Sequence, residues 1–401
     1  MFSRRFLPLF CLQFLGAASD NLFKNAVALL LIFRPDVAGG LSPQVAVSLG
    51  AGLFILPFFL LSAWGGLLAD RLRKDRLIRR IKAAELAISL LSAWALAAGW
   101  LPGLLGCLLL LGAKSACFGP VKYAVLPELL EPERLVTGNA LVEGGTFLAI
   151  LAGTIAGGLL VLRDGGALAV GLLLVLLAGL GLLAAQFLPA THEEPSPPAL
   201  SFHLYRLGRQ SLSILAGRKG LLTTALGISW FWFLGATFLA QFPALARDVL
   251  GGAEQLVTTM LVMFTIGVAL GAALGGKLLK RLGARRLTIL AAVGMGLLCC
   301  HLWSVTSRPW ALADLLGIAV CGGCYVLPLY TRLQRESEEA SRARLIGANN
   351  ILNALFMTVS ALLSAVWLAM GGSVPGIVLG LGLASLGLAA GLVYRKSDVR
   401  K

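Results

Sequence analysis

The chain has 401 residues, of which 58% are hydrophobic and only 13% charged, with a formal net charge of +15. Soluble domains carry about 25% charged residues, so a string of soluble domains is excluded and an all-α membrane protein is expected. The positive surplus would suggest nucleic acid in a soluble chain, but its distribution among the loops gives a different answer.

The first apolar segment, 6–33, is long enough to cross a hydrocarbon core of ~30 Å at ~1.5 Å per residue. Asp20, Asn21, Lys24 and Asn25 lie inside it. Each charge near mid-membrane costs roughly 2.5–3.5 kcal/mol on insertion scales, so such groups face a polar cavity or each other. Asp20 and Lys24 are four apart and share a helical face, which predicts that they pair. Gln13, seven before Asp20, extends the stripe. Two readings follow: an internal ion pair that aids packing, or a substrate or coupling site lined by the first helix. The run is too long for a secretory signal core and no small-residue cleavage pattern follows, so a removable leader is not expected.

Further apolar segments lie near 44–67, 81–100, 102–126, 137–162 and 167–188. A second set follows near 221–246, 255–277, 287–306, 309–333, 346–370 and 374–394, giving twelve predicted spans in two groups of six. The expected division is an N-terminal half 1–188, a polar linker 189–219 and a C-terminal half 220–401. The linker holds Glu193, Glu194 and the Pro-Ser-Pro-Pro run 195–198, and its residues 204–215 read as a short amphipathic helix.

With the N-terminus placed inside, 27 of the 34 Lys and Arg fall in inner segments and four in outer loops, one each at Arg34, Arg163, Arg247 and Arg308. Lys24, Lys114 and Lys122 remain within spans. Such a bias puts both termini in the cytoplasm and accounts for the net charge as topology. The seven cysteines all lie in or beside spans; Cys321 and Cys324 have redox-like spacing but no histidine nearby, so packing is expected and no metal or cofactor.

The two groups of spans repeat. Gly65-Gly66-Leu67-Leu68-Ala69-Asp70-Arg71-Leu72 is echoed 210 residues later by Gly275-Gly276-Lys277-Leu278-Leu279-Lys280-Arg281-Leu282. Arg134-Leu135 with Asn139 and Glu143 is echoed at the same offset by Arg344-Leu345 with Asn349 and Asn353. Phe14-Leu15-Gly16-Ala17 is echoed by Phe233-Leu234-Gly235-Ala236. Repeats in one orientation imply a transport site between halves near mid-membrane. Gly144, Gly153 and Gly157, with Gly267, Gly271 and Gly275, form small-residue faces on the fifth and eighth spans, expected to meet as a seam.

The loop Gly66-Leu67-Leu68-Ala69-Asp70-Arg71-Leu72-Arg73-Lys74 resembles the signature loop of the major facilitator superfamily, with Arg73 where that family usually has glycine. The resemblance implies a major facilitator fold of two pseudo-symmetric six-helix halves, and an inner gate in which Asp70 latches the halves. Within the superfamily, 14–25, the run Gly119-Pro120-Val121-Lys122-Tyr123, the Asn139/Glu143 segment, Phe238-Leu239-Ala240-Gln241-Phe242-Pro243 and 348–354 resemble bacterial lysophospholipid transporters (LplT-like proteins), including modules fused to acyltransferase and acyl-ACP synthetase domains. The implied substrate is a lysophospholipid, and the implied partners are membrane lipid and a cytoplasmic-face acyltransferase/acyl-ACP synthetase.

A lysophospholipid headgroup needs cations for phosphate and carboxylates or amides for ethanolamine or glycerol. Candidate substrate residues are therefore Gln13, Asp20, Asn21, Lys24, Asn25, Lys114, Gln241, Asn349, Asn350 and Asn353, and candidate gating residues are Asp70, Arg71, Lys122, Asn139 and Glu143. Lys122 and Glu143 are expected to pair at the inner gate or to touch substrate. Glu85 reads as an interfacial residue, and His301 as a histidine without a nameable partner. The alternative is an efflux carrier for amphipathic drugs or another solute. An enzyme is not expected: acyltransferases of the fused relatives place aspartate five residues after histidine, whereas His192, His203 and His301 are followed at that distance by Pro197, Gly208 and Thr306.

Overall fold

A computed structural model describes residues 4–34, 37, 42–192, 203–252 and 254–394. The Pro-Ser-Pro-Pro run and the basic C-terminal tail lie outside the described residues. Thirteen helices are present among those described, and no strand. In lipid every backbone N–H and C=O must be satisfied within the segment, which leaves the helix as the form for these apolar runs.

The N-terminal set is α1 (Leu7–Phe33), α2 (Pro43–Arg71), α3 (Lys74–Ala98), α4 (Leu101–Leu129), α5 (Leu135–Val161) and α6 (Gly166–Gln186). The short α7 (Leu204–Gly217) follows. The second set is α8 (Lys219–Ala244), α9 (Glu254–Leu282), α10 (Ala284–Ser304), α11 (Arg308–Glu336), α12 (Arg342–Ala369) and α13 (Val374–Tyr394). Twelve helices, all but α7, are long and apolar enough to cross a membrane. Several outrun their apolar cores at the basic ends: α3 begins at Lys74, not near 81, and α9 continues to Leu282. Long basic side chains can continue a helix past the hydrocarbon by reaching for the headgroups.

Prolines mark the starts and bends. Pro8 and Pro102 sit in the first turn of α1 and α4, where the missing N–H has no partner to lose. Pro243 lies near the end of α8, and the chain widens directly after it into a π turn, Leu245–Val249. Gly99 ends α3 in the left-handed region at φ 58°, a conformation a side chain would resist. The connection from α2 to α3 needs no glycine: Leu72 and Arg73 are extended with negative φ, and Arg73 braces the turn through two bonds to Asp75, at 3.1 and 3.2 Å.

The helices pack as two compact units. The first comprises 1–138, 148–222 and 333–354; the second comprises 139–147, 223–332 and 355–401. In the first, Leu22, Phe23, Val27, Leu30 and Leu31 of α1 pack with Leu96 of α3, Leu104, Leu108 and Leu111 of α4, and Val170 and Leu174 of α6. The opposite side of α6 exposes Leu168, Leu172, Leu176, Leu180 and Leu183, a stripe at helical spacing that only lipid would cover favourably. In the second unit, Phe238, Phe242 and Phe264 are buried with ring centroids 5.7–6.1 Å apart.

The small-residue faces do different work from the expected seam. Gly153 and Gly157 press on the α1 backbone at Ala18 and Leu22, where a Cβ has no room. Gly267 and Gly271 press likewise on α11 at Leu316, Ala319 and Val320. Gly144 alone of the first trio meets α9, at Ala269. Glycine spacing announces close helix contact but does not name the partner.

Candidate functional site

The polar stripe of α1 turns toward α3 and α4. Lys114 Nζ of α4 donates to Asp20 Oδ1 at 2.7 Å, and Ser115 Oγ donates to Asp20 Oδ2 at 2.6 Å. The expected Asp20–Lys24 pair is thereby corrected: the partner of Asp20 comes from another helix. The Lys24 ammonium instead lies 4.5 Å from the Phe54 ring centroid on α2, a cation–π contact, and the residue is half-buried. A flexible four-carbon stem places an ammonium wherever neutralisation is best, so spacing along one helix does not dictate its partner.

The chain of charges continues. Lys114 Nζ also lies 3.7 Å from Glu85 Oε2, and Lys82 Nζ donates to the same oxygen at 2.7 Å. Asp20, Lys114, Glu85 and Lys82 thus alternate in sign across α1, α4 and α3, and all four are buried. The reading of Glu85 as interfacial is overturned: it is 0% exposed. Lys82, grouped with the basic loop by sequence, is 1% exposed and also lies 5.2 Å from the Phe118 ring. Both fall at the start of the expected span 81–100, and their signal is a charge-balanced i,i+3 pair opening an apolar run. Buried charges demand such compensation, since each unpaired ion costs several kcal/mol, about 3–5 when one partner is removed.

Gly16, one turn before Asp20, makes the chain possible. A Cβ there would stand 2.6 Å from Lys82 Nζ and 3.1 Å from Glu85 Oε1. That Oε1 is buried without a hydrogen-bond partner among the described residues. Gln13 is buried on the same side of α1. Asn21 bonds its own helix at Ala17 O, and Asn25 donates to Thr154 O of α5 at 2.8 Å, so both amides also brace the backbone.

The asparagines of α12 lie in the first unit as well. A Cβ on Gly119 of α4 would sit 2.6 Å from Asn350 Nδ2, so Asn350 approaches the helix that carries Lys114. Asn349 is wholly buried with neither amide atom bonded among the described residues, and Asn353 is buried. Gln241, half-buried on α8, belongs to the second unit.

Of the candidate gating residues, Asp70 has the clearest geometry. Its carboxylate accepts from Ala343 N at 2.8 Å, Arg344 N at 3.1 Å and Arg344 Nε at 3.0 Å. It therefore caps the start of α12 from the end of α2, where free N–H groups and the helix dipole favour an anion. Gly66 rests on the Ala343 carbonyl and Gly347 on the Ser62 carbonyl, too close for any Cβ, so the two helices meet backbone to backbone. Arg71 and Lys122 are half-buried; the Lys122 ammonium is 4.7 Å from the Tyr123 ring. Asn139 and Glu143 are buried on α5 within the second unit.

In the second unit, His301 is not alone. Its Nδ1 lies 2.8 Å from Asp314 Oδ2 of α11, with the Trp310 ring edge-on at 6.4 Å. The cysteines of α11 serve packing: Cys324 Sγ donates to Gly271 O at 3.2 Å, and all seven cysteines are free.

Known proteins resemble the chain over most of its length. The lysophospholipid transporter LplT of Photorhabdus laumondii subsp. laumondii is 29% identical over 381 residues, covering 93% of this chain and 90% of that one. LplT of Citrobacter koseri is 29% identical over 416 residues, covering 100% and 98%. Among solved structures, the human organic anion transporter MFSD10 superposes with a TM-score of 0.79 at 17% identity, covering 96% of this chain and 99% of that one. The E. coli fucose:proton symporter FucP superposes at 0.74 with 15% identity, covering 98% of each. The sequence profile of the Major Facilitator Superfamily matches 9–361, from the charged first helix through the asparagines of α12. Twelve spans, the Asp70 loop and that match have one common source: the chain belongs to the Major Facilitator Superfamily.

Proposed function

We propose that this chain is a secondary carrier for lysophospholipids, moving them toward the cytoplasmic leaflet of the bacterial inner membrane by alternating access. The substrate class comes from the names of its relatives, which match nearly the whole chain. The observation that carries the reading is the buried chain Asp20–Lys114–Glu85–Lys82 with half-exposed Lys24 beside it. A zwitterionic headgroup has the same alternation. Its phosphate would draw Lys24 and Lys114, its ammonium would take Asp20, and Glu85 would keep Lys114 compensated while the original pair is apart. The acyl tail would stay in lipid or an apolar groove.

On this reading 1–188 and 220–401 are the two halves, with 189–219 joining them and both termini in the cytoplasm, following the basic loops. Asp70 latches the inner gate with Arg71, Lys122, Asn139 and Glu143 as neighbours in function. Gln241 of the second unit and Asn349, Asn350 and Asn353 of the first are further substrate contacts on this reading. A cytoplasmic acyltransferase/acyl-ACP synthetase would consume the delivered lysolipid. The test is reconstitution with labelled lysophosphatidylethanolamine, with and without imposed ion gradients. Lysolipid movement that Asp20→Asn abolishes is expected. Drug-induced proton flux with no lysolipid movement would overturn the assignment.

A further inference from the structure

Helix α7 takes no part in the charge chain, but it crosses the place where α2 and α12 meet. Leu207, Gly208, Ser211 and Leu215 form its buried side. Leu207 packs with Ala63 and Leu67 of α2 and Ile351 of α12, flanked by Phe59, Trp64 and Leu212. Just beyond the helix, Arg218 Nη2 holds Glu338 Oε1 at 2.5 Å, in the turn that leads into α12. The helix therefore touches the same two elements that Asp70 bonds together.

Its depth follows from counting residues. Ala63 lies ~12 Å along α2 from the end at Arg71, and Ile351 lies ~13 Å into α12. The buried side of α7 thus reaches ~6–8 Å inside the ends of the apolar runs 44–67 and 346–370, the depth at which an interfacial helix buries its apolar side. Its other side exposes Arg206, Arg209, Gln210 and Ser213, with Tyr205 82% and Ile214 39% exposed at the flanks. Neither arginine has a hydrogen-bond or ion-pair partner among the described residues. Unpaired guanidinium groups on one side, a tyrosine at the edge and an apolar side at that depth are the chemistry of a helix lying in the bilayer interface.

We propose that the exposed side of α7 is a docking surface for anionic phospholipid headgroups of the surrounding bilayer, and that this docking holds α7 across the α2–α12 pair. The occupant follows from charge complementarity: guanidinium pairs bidentately with phosphate, and a basic residue near an anionic leaflet gains about fivefold in binding. Leaflet composition would then set how firmly the two helices are held. The proposal does not depend on which solute is carried.

Hydrogen exchange on the full chain tests it, in nanodiscs of phosphatidylcholine alone and of phosphatidylcholine mixed with phosphatidylglycerol. Amides of α7 should exchange at least about fivefold more slowly with the anionic lipid. High salt should erase the difference, and so should R206Q/R209Q, while α6 amides stay alike in every sample as a check on folding. The Ala343 and Arg344 amides, which Asp70 accepts, should slow in step with α7. Equal exchange of α7 in both lipids, or a difference that R206Q/R209Q retains, would overturn the docking. A response of α7 without one at Ala343 and Arg344 would overturn the hold on α12.

Discussion

Helices α1 and α8 begin their repeat with the same four residues, Phe-Leu-Gly-Ala at 14–17 and 233–236, and then diverge in chemistry. Six residues after its phenylalanine α1 carries Asp20, bonded to Lys114; at the same offset α8 carries Leu239, 41% exposed. Lys24 of α1 corresponds to Pro243 of α8. Where α1 faces lysines and carboxylates, α8 presents rings. Trp230 stacks on Phe233 at 5.2 Å, Phe147 stacks on Trp232 at 6.3 Å, and Trp232 Nε1 donates to Tyr330 Oη at 3.1 Å. No arginine occurs in α8; Arg218 flanks its start and Arg247 lies in the π turn after it. The repeat kept the glycine but not its surroundings: a Cβ on Gly16 would meet Lys82 Nζ, whereas one on Gly235 would meet open space, and the buried charges belong to one copy. The contrast teaches that sequence similarity along a repeated helix does not carry its chemistry with it: buried charges mark α1 and aromatic rings mark α8.

The largest effect should come from the ionic copy. Asp20→Asn should abolish lysophospholipid movement in proteoliposomes, with normal insertion, because Glu85 remains 3.7 Å from Lys114 to compensate it. Asp20→Asn/Lys114→Met separates the readings. Recovery of wild-type rates would reduce the pair to a structural one and erase the functional difference between the copies.

Asp70→Ala comes next. It strips three hydrogen bonds from the start of α12, charge-assisted contacts worth roughly 1.5–3 kcal/mol each at most. Transport should fall at least about tenfold, the factor that 1.4 kcal/mol represents, with expression unchanged. Normal transport would remove Asp70 from the gate.

Lys24→Ala should have a smaller effect that depends on the headgroup. Its cation–π contact is worth about 0.5–2 kcal/mol, so the fold should tolerate the change. Uptake of anionic lysophosphatidylglycerol should drop several-fold more than that of zwitterionic lysophosphatidylethanolamine. Equal losses for both would show that Lys24 does not read phosphate.

The aromatic copy should respond least. Trp232→Phe removes one hydrogen bond to Tyr330, about 1 kcal/mol. Thermal stability should drop by a few degrees while headgroup preference stays the same. A changed preference would sharpen the comparison, making the aromatic side a reader as well as a wall.

Much of this architecture was legible in the chain. The apolar runs placed every span near its helix, and 204–215 lies within α7. The charges of α1 marked the polar core, since an ion inside an apolar run has to be compensated somewhere. What misled was locality. Asp20 and Lys24 are neighbours on one helix, but Lys114 arrives from a helix nearly a hundred residues away and bonds Asp20 at 2.7 Å. Lys82 and Glu85 open the expected span 81–100 and read as its interfacial end, because a buried pair of opposite charges lowers hydropathy as an interface does. His301 looked solitary because Asp314 lies thirteen residues on, in the next helix.

The sequence alone therefore determined the number of spans, their repeat and the bias of the basic loops. These depend on hydrophobicity and charge summed over about twenty residues, quantities a single helix carries by itself. Only the tertiary structure decided that Lys114 rather than Lys24 holds Asp20, that Gly153 and Gly157 receive α1, and that Asp70 caps α12. Those outcomes depend on how each helix is rotated about its axis and which neighbour it meets, and packing settles both among helices far apart in the chain.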